Sequence, residues 1–226
     1  MKPRTPGKAA APPGHARPPV AKVKSVAARA PNEVRIVGGR WRRHLLPVLD
    51  LPGLRPTPDR VRETLFNWLG QDLSGWSVLD AFAGSGALGF EAASRGAAEV
   101  RLLEVEPRLV HSLHATRERL GADTVTITRA DALGWMRRAP SMFDLVLLDP
   151  PFTADLYEAA LAAVRHCLAP EGWVYLEAPR EFTAPMLEQT GLSPWRHSRA
   201  GAVHAHLLRK TAIKDNEEAP ATDPQT

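Results

Sequence analysis

Between Ser77 and Leu208 the chain alternates between short apolar runs that suit buried strands and longer runs that suit helices laid across them. The strand-like runs are residues 77–80, 99–105, 124–128, 143–148, 172–177, 193–197 and 202–208. Helical runs at 87–95, 107–120, 132–138, 154–168 and 183–190 separate the first six of them. A strand reached through a crossover helix runs parallel to its predecessor, so the pattern predicts a parallel sheet with helices on both faces. The last two strands are joined near Arg199-Ala200-Gly201, with no room for a crossover helix, and should pair antiparallel. The expected architecture is α/β: a doubly wound, seven-stranded, mostly parallel sheet closed by an antiparallel hairpin. In such sheets ligands lie beyond the carboxyl ends of the strands, near the point where strand order reverses.

The first strand runs into Val78-Leu79-Asp80-Ala81-Phe82-Ala83-Gly84-Ser85-Gly86-Ala87-Leu88-Gly89. Glycines let the backbone approach a ligand closely, and the N-terminus of the following helix offers unpaired N–H groups. Gly84-x-Gly86-x-x-Gly89 matches the dinucleotide fingerprint, and Glu104 lies at the offset of a ribose-binding acid. The fingerprint alone does not separate a nicotinamide enzyme from another adenosine binder, or from a strand–helix turn that merely needs small residues. A phosphate-cradling P-loop is excluded, because no Lys-Ser/Thr follows the glycines. An NAD-binding half would more naturally continue with another crossover and a substrate domain, so the closing hairpin disfavours the nicotinamide reading.

A second motif, Asp149-Pro150-Pro151-Phe152, ends the apolar run from Phe143 to Leu148. The acid sits at the strand's carboxyl end as a hydrogen-bond acceptor. Pro151 lacks an N–H and has a fixed φ, and it pushes Pro150 toward an extended conformation, which stiffens the chain and aims the Pro150 carbonyl. Phe152 adds a flat apolar face. Two acceptors and a stacking ring suit a planar group that carries an exocyclic amine; a strand followed by a proline turn is the plainer reading.

Together the two motifs resemble those of class I S-adenosylmethionine-dependent methyltransferases. Asp80 to Gly86 looks like their first motif, and Asp149-Pro150-Pro151-Phe152 like their [D/N]-P-P-[Y/F] motif for amino groups. Two upstream stretches narrow the likeness: Val34-Arg35-Ile36-Val37-Gly38-Gly39-Arg40-Trp41, and the run Leu54-Arg55-Pro56-Thr57-Pro58-Asp59-Arg60-Val61-Arg62 continuing to Trp68. With them the chain resembles the RsmD family, bacterial enzymes that methylate the N2 amine of one guanine in 16S ribosomal RNA of the small subunit. The likeness spans Glu33 to Lys210 and implies the Rossmann-like methyltransferase variant of the doubly wound fold.

The resemblance also implies S-adenosylmethionine as cofactor and assigns it residues. Asp80 would lie by the cofactor's amino-acid part, with Phe82, Gly84 and Gly86 around it. Glu104 would take the ribose hydroxyls, Asp131 the adenine amine and Ala132 the ring through its N–H. Asp149 would border the cofactor and, with Pro150, Pro151 and Phe152, form the catalytic set. Asp131 also reads as a helix N-cap, and Glu106 as the start of a helix at Pro107. Phe152 carries no hydroxyl, so it can only stack. A sulfonium methyl is already activated, so neither a metal nor a covalent intermediate is expected. Alternatives left open are another planar amine (adenine N6 or a protein side chain), a non-catalytic RNA-binding module, or an NAD-binding protein.

The substrate side rests on charge. Arg35, Arg40, Arg42, Arg43, Arg55, Arg60 and Arg62 fall between Val34 and Arg62 with only Asp50 and Asp59 against them and Trp41 among them. Basic side chains with an interleaved ring suit phosphate contact and base stacking. Residues 34–37 and 45–48 read as a small hairpin extension, followed by a helix with Thr57 as N-cap, Pro58 in its first turn and Val61, Leu65 and Trp68 on one face. By resemblance this segment, Thr57 included, helps bind the ribosomal substrate, within the small subunit or an assembly intermediate.

A chain of 226 residues with 44% hydrophobic content suits one sizeable domain. The expected division is a disordered basic arm at 1–32, an extension at 33–70, a cofactor-binding domain at 71–210 and a loose tail at 211–226. The arm carries seven Lys and Arg against a net charge of +4, so the rest of the chain is slightly acidic and its basic patch is local. Many prolines in the arm argue against a transit helix, no apolar stretch approaches a membrane span, and a cytoplasmic location is expected. Cys167, the only cysteine, excludes an intramolecular disulfide and a multi-cysteine zinc site, and reads as a small core residue in a helical run. His204 and His206 face one side of a strand and read as surface or core-edge residues rather than metal ligands.

Overall fold

The structure is a computed structural model that describes Met1 and residues 33–51, 54 and 57–211. The rest of the basic arm, Arg55 and nearly all of the tail lie outside the described residues.

The main sheet has seven strands: β3 (Ser77–Asp80), β4 (Glu99–Glu104), β5 (Val125–Arg129), β6 (Phe143–Leu148), β7 (Leu168–Ala178), β8 (Leu192–Ala200) and β9 (Val203–Lys210). Their spatial order is β5-β4-β3-β6-β7-β9-β8. The first five run parallel, while β9 pairs antiparallel with both β7 and β8. Strand order reverses between β3 and β6, so the switch point lies where Asp80 and Asp149 leave the sheet. No described helix is long and apolar enough to cross a membrane.

Alternation along the strands builds two cores. Val78, Val100, Leu102, Leu145, Leu147 and Tyr175 face one layer, which holds α1 (Asp59–Leu69), α2 (Ala87–Ser94) and α3 (Pro107–Leu120). Leu79, Leu103, Val146, Leu148, Val174 and Leu176 face the other, with α4 (Ala132–Met136), α5 (Tyr157–Val164) and α6 (Ala184–Leu187). Both faces of the central strands are closed to water, as their continuous apolar runs require. At such positions Leu→Ala costs about 2–5 kcal/mol.

Ahead of the sheet, β1 (Glu33–Arg35) and β2 (Leu45–Pro47) form an antiparallel pair. The ladder is shorter than the sequence suggests because the Val37 and Gly38 N–H groups turn away to the Glu91 carboxylate, at 2.8 and 2.7 Å. Glu91 is buried on α2 and also receives Arg62 at 3.1 Å and Arg95 at 2.9 Å. One carboxylate thus ties the extension, α1 and α2 together. Gly39 completes the junction at φ +72, where a Cβ would lie 1.9 Å from the Ser94 carbonyl oxygen.

Three local expectations are corrected. Thr57 does not cap α1: the N-cap is Pro58, with no side-chain bond, and the Thr57 hydroxyl points to Asp149 instead. The helical run at 154–168 splits into a 3-10 turn at Phe152–Ala154, α5, and a turn that leads into β7. Asp155 sits at φ +46, breaking the helix, and Leu168 pairs with Phe143; an Ala/Leu-rich run does not by itself separate a buried helix from a buried strand. Cys167 is therefore in the turn before β7 rather than in a helix, although it is fully buried.

Candidate active site

Four neighbouring strands, taken in the order β4, β3, β6, β7, carry an acid at or just past their carboxyl ends: Glu104, Asp80, Asp149 and Glu177. They line one cleft of about 650 Å³ together with Phe82, Gly84, Asp131, Ala132, Pro150, Pro151 and Phe152. Leu51, Leu54 and Thr57, from the segment ahead of α1, and Val203, from the closing hairpin, complete the wall. The glycine turn and the proline-stiffened acid therefore share a cavity, as adjacency of β3 and β6 demands.

Asp80 is buried at 1% exposure. Its Oδ2 accepts the Gly89 N–H at 3.0 Å, while Oδ1 has no partner among the described residues. A buried acceptor without a donor is costly, and it marks the place where a ligand donor fits. Burial pushes the Asp80 carboxyl up to about 7; the backbone N–H groups of Gly89 and, more weakly, Phe82 oppose this, and Glu104 and Glu177 reinforce it. Gly89 lies against the strand closely enough that a Cβ would meet Leu102 Cδ2 at 2.2 Å. Gly86 does not line the cleft; it is the N-cap of α2 at φ +78, and its role is the turn itself.

Glu104 is aimed by the backbone. Its Oε2 accepts the Gly84 N–H at 2.9 Å, and Oε1 accepts those of Val105 and Glu106 at 2.8 and 2.9 Å. Three N–H donors fix the carboxylate and leave lone pairs toward the cleft. Glu106 caps α3 through the Arg108 N–H at 3.3 Å, and Asp131 caps α4 through the Gly134 N–H at 2.7 Å. Asp131 is nonetheless exposed on the cleft wall, so capping and ligand contact are compatible there.

Asp149 is half-buried, and its Oδ2 accepts the Thr57 hydroxyl at 3.3 Å. Enclosure by the cleft walls pushes its carboxyl well above the carboxylate range, helped by Glu177 and then Asp80; the Thr57 hydrogen bond works the other way. Pro150 is buried, Pro151 is exposed, and the Pro151 carbonyl accepts the Ala154 N–H at 2.9 Å, which closes the turn that carries Phe152. Glu177 was absent from the sequence candidates. It is buried at 3% exposure, accepts the Tyr175 hydroxyl at 2.9 Å, and burial lifts it to about 7. Its signal was available: Tyr175-Leu176-Glu177 repeats the apolar-apolar-acid ending of Leu79-Asp80, Leu103-Glu104 and Leu148-Asp149.

The basic candidates divide. Arg40, Arg42, Arg43 and Arg60 are exposed, and Arg35 is exposed but paired with Asp59 at 2.7 Å. Arg62 is corrected. It is fully buried, held by Glu91, by Asp59 at 2.6 Å and by the carbonyl oxygens of Arg35 and Thr57, so it cannot reach a phosphate. Trp41 is also corrected as a stacking platform, since its side chain packs in the core and its backbone N–H donates to the Ser94 hydroxyl at 2.9 Å. Thr57 faces Asp149 in the cleft rather than an outer surface. His206 is a core residue: Nε2 accepts the Phe182 N–H at 3.0 Å, Nδ1 faces the Leu176 carbonyl, and burial pulls its pKa down to about 4. His197 and His204 stack beside it near the surface.

Residues 34–209 match the family model described as conserved hypothetical protein 95. The chain is 38% identical over 188 residues to ribosomal RNA small subunit methyltransferase D of Escherichia coli K12, covering 82% of this chain and 94% of that protein. The protein of the same name from Haemophilus influenzae is 40% identical over 186 residues, with 80% and 95% covered. This chain belongs to the RsmD family. The solved structure of the Escherichia coli protein yhhF superposes with a TM-score of 0.70 at 34% identity, covering 80% of this chain and 99% of that one. The family match begins in β1 and ends in β9.

Proposed function

We propose that this RsmD-family chain transfers a methyl group from S-adenosylmethionine to the exocyclic N2 amine of one guanine in 16S ribosomal RNA. The observation that carries the reading is the meeting of Asp80, Glu104 and the glycine turn with Asp149-Pro150-Pro151-Phe152 in one cleft. The names of its relatives, small-subunit ribosomal RNA methyltransferases, support the substrate class.

The donor set suits the cofactor. The unpartnered Asp80 oxygen fits an ammonium group, Glu104 fits vicinal ribose hydroxyls, and Asp131 with the Ala132 N–H fits the edge of an adenine, with Phe82 and Gly84 as walls. When bound, S-adenosylmethionine supplies a methyl group already activated by a sulfonium. The chain's task is then the nucleophile, whose lone pair is delocalised into the base. Asp149 and the Pro150 carbonyl accept the two amine hydrogens, orient the nitrogen and stabilise the positive charge it gains. Holding the reacting atoms in line adds a large proximity term. Phe152 stacks on the base, which is flipped or unpaired when it enters.

Arg35, Arg40, Arg42, Arg43 and Arg60 present an electropositive rim on residues 33–70 for the RNA backbone, ahead of a catalytic unit at 71–210. The substrate is the small subunit or an assembly intermediate. The test is to incubate unmethylated subunits with the protein and methyl-labelled cofactor, digest the RNA and identify the nucleoside. N2-methylguanosine is expected; labelled N6-methyladenosine, or label in ribosomal protein alone, refutes the proposal.

A further inference from the structure

We propose that Glu177 is a specificity-determining residue of the cleft, its carboxylate accepting the N1–H of the target guanine while Asp149 accepts from the neighbouring N2 amine. This deepens the methyl-transfer reading above and rests on it.

Asp149 and Glu177 stand side by side. Leu148 and Leu176 are register partners on the parallel strands β6 and β7, so the acids that follow them leave neighbouring strands, at a strand spacing of about 4.8 Å. Alternation sends both side chains to the side of Leu147 and Tyr175, which is also the side of α1. Each acid has one oxygen engaged by a hydroxyl. Asp149 Oδ2 accepts from Thr57 at 3.3 Å, and Glu177 Oε1 accepts from Tyr175 at 2.9 Å. The other oxygens, Asp149 Oδ1 and Glu177 Oε2, make no hydrogen bond among the described residues, and neither is sealed in the core. Both residues line the cleft, so two acceptor oxygens from adjacent strand ends are open to it.

This pair matches one edge of guanine. Beside its C2 amine, guanine carries a hydrogen on N1, and the two donors point the same way. Adenine has a lone pair at N1 instead. An ionised carboxylate only accepts, so Glu177 favours a base with a donor at N1 and rejects one with a lone pair there. Asp149 is poorly placed to take both donors, because Thr57 occupies one of its oxygens. Burial sharpens the choice. Glu177 is only 3% exposed, and a buried carboxylate that faces a lone pair is left desolvated and unpaired. Burial raises the Glu177 carboxyl to about 7, so at about pH 8 it is mostly ionised. Asp149 keeps an acceptor oxygen for the amine in either protonation state.

The test compares full-length wild type with Glu177→Gln on small subunits reconstituted with guanine or 2-aminopurine at the methylated position. 2-Aminopurine keeps the C2 amine but exchanges the N1–H for a lone pair and lacks the 6-oxygen. Glutamine keeps an acceptor for the Tyr175 hydroxyl, yet its amide N–H can turn toward a lone pair. Single-turnover transfer is measured at about pH 8 with saturating labelled S-adenosylmethionine, cofactor affinity by equilibrium titration and folding by thermal melting. Wild type should prefer guanine by about a hundredfold or more. Glu177→Gln should shrink that preference by at least about tenfold, with cofactor affinity held within about threefold. The missing 6-oxygen affects both proteins alike, so the change in preference reports the contact at N1. An unchanged preference in folded Glu177→Gln overturns the proposal. A loss of cofactor affinity beyond about threefold also overturns it, by assigning Glu177 to the cofactor. The wild-type comparison decides even where the variant fails to fold: similar rates on the two bases overturn the contact, and a strong guanine preference upholds it. Wild type that leaves guanine-bearing subunits unmethylated overturns the underlying reading instead.

Discussion

Asp80→Asn isolates the energetic cost of the cofactor end of the cleft. Asparagine keeps the shape and an acceptor for the Gly89 N–H but removes the titration. The Asp80 carboxyl rises from 3.8 unfolded to about 7 in the fold, chiefly through burial. The sign follows from which state binds the proton more tightly. Below about pH 4 the group is neutral in both states and costs nothing; as pH rises, the unfolded chain ionises first and the fold loses stability until pH passes about 7. At 1.36 kcal/mol per unit, the loss approaches about 4 kcal/mol well above that value. Between about pH 5 and about pH 8 the gap between variant and native unfolding free energies should widen by about 2.5 kcal/mol in the variant's favour. Packing differences that do not titrate cancel in this comparison. Urea unfolding of cofactor-free protein at the two pH values measures it. A gap that stays constant with pH, or narrows, refutes the reasoning. The same variant should lose cofactor affinity, because the orphaned Oδ1 is no longer an anionic acceptor.

Glu104→Ala should weaken cofactor binding by about tenfold or more in an equilibrium titration, since it removes the ribose acceptor and the aiming of Gly84, Val105 and Glu106, with charged hydrogen bonds worth about 1.5–3 kcal/mol. Arg62→Met should destabilise the protein by about 3–5 kcal/mol in urea unfolding, because it strands the buried Glu91 carboxylate beside one remaining cation. Replacing Arg40, Arg42 and Arg43 together by Ser should leave stability within about 1 kcal/mol and lower both RNA affinity and its salt slope, by about one unit of slope per lost phosphate contact.

The sheet was legible because its strands are apolar on both faces and bounded by helices with clear starts, so the runs at 77–80, 107–120 and 143–148 coincide with β3, α3 and β6. Boundaries failed where composition is ambiguous: the Ala/Leu run after Phe152 reads as one helix but holds a turn, a helix and a strand start. In the cleft, acids announced by a motif are legible and Glu177 is not, because the Ala178-Pro179 that follows it matches neither the glycine turn nor the Asp-Pro-Pro-Phe pattern. The extension misled for a different reason. A run of arginines reads as surface charge, yet Arg62 and Trp41 are consumed in attaching that segment to α2. Only the positions of Glu91 and Ser94, one helix away in space and at least twenty-nine residues away in sequence from Arg62, reveal it.

The most direct measurement takes Asp149→Asn and follows two quantities on one sample: equilibrium binding of S-adenosylmethionine and single-turnover methyl transfer to unmethylated small subunits. Binding should stay within about threefold of wild type while transfer falls by at least about a hundredfold, the loss seen when one preorganised charge-stabilising group is removed. Transfer at a near-native rate with cofactor bound would contradict the placing of the acceptor amine at Asp149.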